Sequence, residues 1–337
     1  MMNKILDQSE YKLLIAGEWV DAVSGESFPA YSPSDGRLLG NLAKAGEEDV
    51  DRAVVAARAA LSGPWGALTP AEREAVMRRL ADLIESNAEE LAELESLDNG
   101  KPIWHTKVID APVAAGLTYA FAGWPSKIAG YTPEASIPNK FVYTRREPIG
   151  IVAIIIPWNY PLIHMMQKLS PALACGNTVI FKPAEQASLA VLRIGELIQE
   201  AGFPPGVVNI LTGDGVTGKV ISDHPCVNKV AFTGSISAGQ SVMRSAAGSI
   251  KRVTLELGNK SANIIFTDAD LEAAVPGAFN AAFGDTGQSC VAGARLYVHK
   301  DIYERVVAQL IDMAGKAKTG HAMDPDTELG PIIDQYQ

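Results

Sequence analysis

The chain holds 337 residues, more than one ordinary domain accommodates. Its 29 Lys and Arg against 39 Asp and Glu give a net charge of −10 without any Lys/Arg cluster, which argues against partners such as nucleic acid or an anionic membrane surface. Hydrophobic residues make up 47% and charged residues 20%, the balance of a soluble protein able to bury a sizeable core.

In chain order, the first residues (MMNKILDQSEYKLLIAG) contain no apolar run followed by a small-residue cleavage site, so no secretory leader is expected. Leu13 to Val20 reads as a hairpin turning at Ala16-Gly17-Glu18, followed by a Pro/Ser/Gly-rich connector. Glu47 to Leu61 carries Val50, Ala53, Val54, Ala57 and Leu61 on one helical face. A long helix is expected over Pro70 to Leu97, with Thr69 as its cap, Pro70 in its first turn and Glu72 three residues after the cap. Another is expected over Ile109 to Ile128. The segment from Gly130 to Pro148 has three prolines and an extended FVYTRRE run, and reads as an excursion made of strands.

From Ile149 the rhythm is regular. Apolar strands (IVAIII, TVIFKP, VVNIL, KVAFTG, RVTLEL) alternate with helices over Pro161–Cys175, Leu189–Ala201, Val216–Asp223 and Ala238–Ala247. Short continuous apolar strands between helices are the mark of a parallel sheet covered on both faces, and such sheets bind ligands at the carboxyl ends of their strands. That rule points to PWN, KPAE, GDG, TGS and ELGNK, one polar cluster after each strand. A smaller α/β run follows, with strands NIIF and RLYVH and helices from Asp270 and from Asp301. The longest apolar run, Ile149 to Ile156, is too short to cross a bilayer. The reading is therefore an α/β protein with its boundaries at 1–129, 130–148, 149–257 and 258–337.

Two glycine-rich turns compete for a dinucleotide. Gly213, Gly215 and Gly218 match GxGxxG between a strand and a helix. Gly234-Ser235 opens the next helix, where N–H groups could hold a pyrophosphate, although Ser235 could equally be a plain cap. Lys182 and Glu185 follow a buried strand; a carboxylate there can hold both hydroxyls of an adenosine ribose and would repel a 2′-phosphate. Elsewhere such a pair is more often just solvated.

Three cysteines, an odd number and widely spaced, suit a reducing, cytoplasmic compartment. Cys175 and Cys226 read as packing residues. Cys290 differs, because glycines at 284, 287 and 293 flank it in a shaped loop, and a thiolate there would be a strong nucleophile. Glu256, at the end of RVTLEL, is a candidate general base if partial burial tunes it. Asn159 offers an amide donor to a developing oxyanion. None of the five histidines has a partner at metal-ligand spacing, so no metal site is expected.

The ordered set IIPWNYPL, FKPAE, FTGS, LELGNKSANIIF and GQSCVAGAR resembles the aldehyde dehydrogenase superfamily, from Leu13 to the last residue. The resemblance implies a Rossmann-like NAD-binding domain, a catalytic α/β domain and an oligomerisation arm, of which 130–148 would be part. It implies Cys290 as nucleophile, Glu256 as base and Asn159 as oxyanion donor, aided by the Cys290 N–H. Lys182 and Glu185 would contact the adenosine ribose, Gly215 the adenine, and Gly234 and Ser235 the pyrophosphate. Ile155, Pro157, Trp158, Phe232, Leu257 and Gly258 complete the cofactor contacts. The cofactor implied is NAD rather than NADP, the substrate an aldehyde, and the assembly a homodimer or homotetramer. Tyr160, His164 and Gln167 would face the aldehyde, and Ser289 and Val291 would flank the nucleophile. This chain has Asn259 where the family motif reads ELGGK, and asparagine is the residue that best tolerates a positive φ. Family members also continue past Gln337, through an EExFGP segment beside the nicotinamide. The chain as given is therefore expected to carry an incomplete catalytic domain; the alternative is an inactive NAD-binding or subunit-interaction remnant.

Overall fold

A computed structural model describes residues 9–337. The expectation that no leader opens the chain falls largely on residues 1–8, outside the described residues. The strands in chain order are β1 (Glu10–Tyr11), β2 (Leu13–Ile15), β3 (Glu18–Val20), β4 (Ser27–Tyr31), β5 (Leu38–Ala43), β6 (Ile151–Ile155), β7 (Thr178–Lys182), β8 (Val208–Ile210), β9 (Lys229–Gly234), β10 (Arg252–Leu257), β11 (Ala262–Ile265) and β12 (Arg295–Val298). The longer helices are α1 (Glu47–Ser62), α2 (Pro70–Ser86), α3 (Ala88–Asn99), α4 (Ala111–Ala122), α5 (Pro161–Ala174), α6 (Leu189–Glu200), α7 (Gly215–Asp223), α8 (Ile236–Ser249), α9 (Leu271–Phe283) and α10 (Tyr303–Lys316).

The principal sheet runs β10-β9-β6-β7-β8-β2-β3. Its first five strands are parallel, and the β2–β3 hairpin joins antiparallel to β8. The central strands are apolar throughout because both faces are covered. Val152, Ile154, Val179 and Phe181 face a core shared with α2, α3, α5 and α6. Ile151, Ala153, Ile155 and Ile180 face a second core against α1 and α8. A third, small core (Ile265, Leu271, Val275, Ala278, Val306) lies under the parallel pair β11–β12.

Several elements depart from expectation. The helix expected over Pro70–Leu97 is two helices, because Asn87 leaves helical geometry at φ −108° and ψ 16° and its Nδ2 donates to the Leu83 carbonyl. The predicted Thr69–Glu72 capping box is present. The helix expected over Ile109–Ile128 begins earlier, with a turn at Ile103–His105 and a π-helical turn at Thr106–Asp110, and α4 ends at Ala122. The connector after the hairpin hides β4 and β5, which form a small sheet with β1. Pro29 is tolerated because β4 lies at that sheet's edge.

Residues 130–148 form no strand; the Thr144 N–H donating to the Tyr131 carbonyl is the one backbone pairing recorded across the segment. Extended chain needs a neighbouring edge to become a strand, and Tyr131, Phe141 and Tyr143 here face solvent. RVTLEL is an edge strand rather than a buried one. Val253, Leu255 and Leu257 pack on the second core, whereas Arg252, Thr254 and Glu256 are exposed.

Candidate active site

β7 and β8 lie on one side of β6, and β9 and β10 on the other. At this switch in strand order the chain departs from the sheet in opposite directions after β6 and β9, opening a crevice at their carboxyl ends. A cleft of 560 Å³ occupies it, lined by Ile155, Pro157 and Trp158 from the end of β6, Lys182 and Glu185 from β7, Gly215 from α7, and Phe232, Gly234 and Ser235 from β9. A second cavity of 920 Å³ shares Pro157, Trp158, Gly234 and Ser235 with the first, and continues to Asn159, Leu257, Gly258 and Cys290. The two form one trench. The residues expected to contact the cofactor therefore line it, as do Cys290 and Asn159. Glu256 lines neither part: it points outward from β10, towards Lys168 of α5, whose ammonium burial depresses and whose charge the Glu256 carboxylate favours.

The structure separates the two glycine-rich turns. At α7, Asp214 caps the helix with its own carboxylate, accepting from Val216 N at 2.8 Å and Thr217 N at 3.4 Å, and pairs with Lys44. That helix end already carries its anion. At α8 the cap is a neutral hydroxyl: Ser235 Oγ accepts from Ala238 N at 3.2 Å. The first-turn N–H groups of a helix have no partner within it, so this end offers donors and a positive dipole to the trench. Gly234 is required by its neighbour, since a Cβ there would lie 2.6 Å from the Phe232 ring.

Lys182 is buried, donates to the Pro183 carbonyl at 2.8 Å and stands 3.8 Å from Glu185. Burial pushes its ammonium pKa down, against the pull of Glu185 and Asp214. Glu185 itself stays open to the cleft. Sequence reasoning missed Ser237 and Lys219, which also line the cleft. It also missed the support behind PWN: Asn99 Nδ2 donates to the Trp158 carbonyl, and buried Glu95 accepts from Leu162 N at 3.1 Å. Nothing local in the sequence marks either residue, because they come from α3.

The Cys290 loop is held on several sides. Asp285 and Thr286 take left-handed conformations (φ 52° and 57°), strained for non-glycine residues, and Gly287 continues the turn at φ 74°. Gln288 Oε1 accepts from Ile333 N at 3.0 Å, Thr286 Oγ1 reaches the Gly330 carbonyl at 3.3 Å, and Gly293 N donates to Ala281 O at 2.8 Å. Asn159 Nδ2 donates to the Gln288 carbonyl at 2.9 Å. Asn159 is thus fastened to the cysteine loop two residues before the thiol.

Other expectations are corrected. Tyr160, His164 and Gln167 do not line the cavity. His164 is buried edge-on to Tyr160, and burial pushes its pKa down to about 4. Ser289 does line the cavity, while Val291 points to solvent at 78% exposure. Cys175 is exposed rather than packed, because it falls on the C-cap of α5; Cys226 is partly buried against the second core. Asn259 needs no positive φ; its Oδ1 accepts from Lys260 N at 2.6 Å instead.

The sequence model of the aldehyde dehydrogenase family matches residues 19–337. The chain belongs to the aldehyde dehydrogenase family. Among relatives, human mitochondrial aldehyde dehydrogenase is 47% identical over 97% of this chain and 64% of its own length. Human retinal dehydrogenase 2 is 45% identical with the same coverages, 97% and 64%. A solved NAD⁺ complex of an aldehyde dehydrogenase from Bacillus cereus superposes with a TM-score of 0.96 at 46% identity, covering 99% of this chain and 68% of that one. The chain spans about two thirds of the length of these aldehyde dehydrogenases.

Proposed function

We propose that this protein is an NAD-dependent aldehyde dehydrogenase: R-CHO + NAD⁺ + H₂O → R-COOH + NADH + H⁺. The observation that carries the reading is the hydrogen bond tying Asn159 to the Cys290 loop inside a cavity continuous with the switch-point cleft. The cleft suits a dinucleotide. Its α8 end offers uncharged donors for a pyrophosphate, and Glu185 offers acceptors for the two hydroxyls of a ribose. NAD, when bound, accepts the hydride.

The Cys290 thiolate adds to the aldehyde carbonyl and forms a thiohemiacetal. An amide nitrogen has two N–H bonds; one from Asn159 is held by Gln288, which leaves the other for the oxyanion. Loss of hydride gives a thioester on Cys290. Glu256 then takes a proton from the water that hydrolyses the thioester, which requires its side chain to turn from the outer face of β10 past Leu257 into the cavity. The same reading includes assembly as a homodimer or homotetramer in the cytoplasm, supported by the exposed aromatic side chains of 130–148.

The test is aldehyde-dependent NADH formation by the wild-type chain, Cys290→Ala and Glu256→Gln. Cys290→Ala is expected to abolish turnover. Glu256→Gln should give one burst of NADH, with the acyl group trapped on Cys290. Full turnover by Cys290→Ala would sink the assignment.

A further inference from the structure

The Cys290 loop is also tied back to the N-terminal helices, through side chains that none of the roles above uses. His105 lies between two carboxylates. Its Nδ1 is hydrogen-bonded to Asp110 Oδ2 at 2.8 Å, and its Nε2 makes an ion-pair contact with Asp285 Oδ1 at 2.9 Å that is not aligned as a hydrogen bond. Asp110 reaches the ring from five residues along because Thr106–Asp110 is a π-helical turn, wider than an α-turn, which brings residues five apart to one face. Asp285 opens the left-handed turn five residues before Cys290.

An imidazole nitrogen meets an ionised carboxylate favourably only by donating to it, and neutral imidazole has a single N–H. With one carboxylate accepting from Nδ1 and a second carboxylate oxygen against Nε2, the cationic imidazolium is the form that matches both neighbours. The neighbouring charges agree. Lys101 Nζ is 2.8 Å from Asp110 and 3.1 Å from Glu95, and sits 3.9 Å from the centre of the Tyr160 ring. All five ionisable side chains are nearly shut off from solvent. With Glu95 protonated, as its burial favours, Lys101 and His105 balance Asp110 and Asp285. Burial alone would lower the His105 pKa, but the two carboxylates outweigh it and push it up to about 9. Trp104 covers the ring edge-on.

We propose that His105 is a positioning residue for Cys290: as imidazolium it clamps Asp285, holds the left-handed turn that keeps the partly buried thiol fixed in the cavity, and releases the loop when it loses its proton. The consequence for catalysis rests on Cys290 being the nucleophile. The clamp itself does not.

The experiment measures peptide-resolved alkylation of Cys290 by iodoacetamide from pH 6.5 to 10 in the full chain, in wild type, His105→Gln and Asp285→Asn. Rates are taken as variant over wild type at each pH, which cancels the ordinary ionisation of the thiol. Acting only through charge, loss of the cation would slow Cys290 and loss of the anion would speed it. Release of a clamp speeds it in both. The expected result is a rise of about tenfold in both variants at pH 7, equivalent to about 1.4 kcal/mol, with the ratio falling towards one by pH 10. Unchanged rates, changes of opposite sign, or a ratio constant with pH would each overturn the proposal. Asp285→Asn keeps the shape of the turn, so its result stands even if His105→Gln does not fold. Should Cys290→Ala retain turnover while the alkylation pattern holds, the nucleophile reading fails and the clamp survives.

Discussion

Asn159 uses its two polar atoms unequally. Nδ2 holds the Gln288 carbonyl, while Oδ1 is buried without a partner. On the proposed mechanism, removing the side chain takes away one oxyanion donor as well as one anchor of the cysteine loop, so Asn159→Ala is expected to lower kcat by about 10²–10³. A kcat within a few-fold of wild type would exclude the donor role. The ribose role proposed for Glu185 makes a separate prediction about cofactor choice. The Glu185 carboxylate lines the cleft and would repel a 2′-phosphate, so Glu185→Gln should lower the KM for NADP far more than it changes the KM for NAD, read from initial rates with each cofactor. Equal effects on both would remove Glu185 from the ribose site. The residue identities at these positions were legible in the sequence because each follows a strand end. Their company was not: Asn99, Glu95 and His105 act on the site from helices more than fifty residues earlier in the chain.

At the scale of elements, apolar pattern carried most of the information, and it misled where its physical cause was ambiguous. A continuous run such as IVAIII is buried on both faces, whereas RVTLEL alternates polar and apolar residues and covers only the face of Val253, Leu255 and Leu257. The β2–β3 hairpin shows the opposite case. Leu13 faces the second core and Leu14 the first, so three residues anchor the antiparallel end of the sheet to both layers. Truncating either fully buried leucine leaves a cavity in close-packed surroundings. Leu13→Ala and Leu14→Ala are each expected to cost about 2–5 kcal/mol, measured by urea denaturation; a loss below 1 kcal/mol would contradict their burial. The break at Asn87 and the π-turn at Thr106 escaped periodicity because each shifts the helical phase by only a residue or so.

At the scale of the whole molecule, no helix among the described residues is long and apolar enough to cross a membrane. Folding stability should fall as pH rises from 7 to 9.5. His105 is raised from 6.5 to about 9 and Glu95 from 4.5 to about 8, so the folded state holds protons the unfolded chain has released. Each contribution is complete below the unfolded pKa and disappears as pH passes the folded one. Thermal melts across this range should show a declining Tm, with a shallower decline in His105→Gln; a flat or rising wild-type profile would refute the buried charge network. By itself the sequence determined the strand–helix alternation, the edge of the sheet on which ligand chemistry gathers, and the residues Asn159 and Glu185 on it, since burial pattern and strand ends are local properties. The tertiary structure alone decided which glycine-rich turn is free of a competing carboxylate, that Glu256 starts outside the cavity, and that a histidine from the N-terminal helices grips the cysteine loop. Those outcomes depend on charges and edges brought together from distant parts of the chain, and no local pattern encodes them.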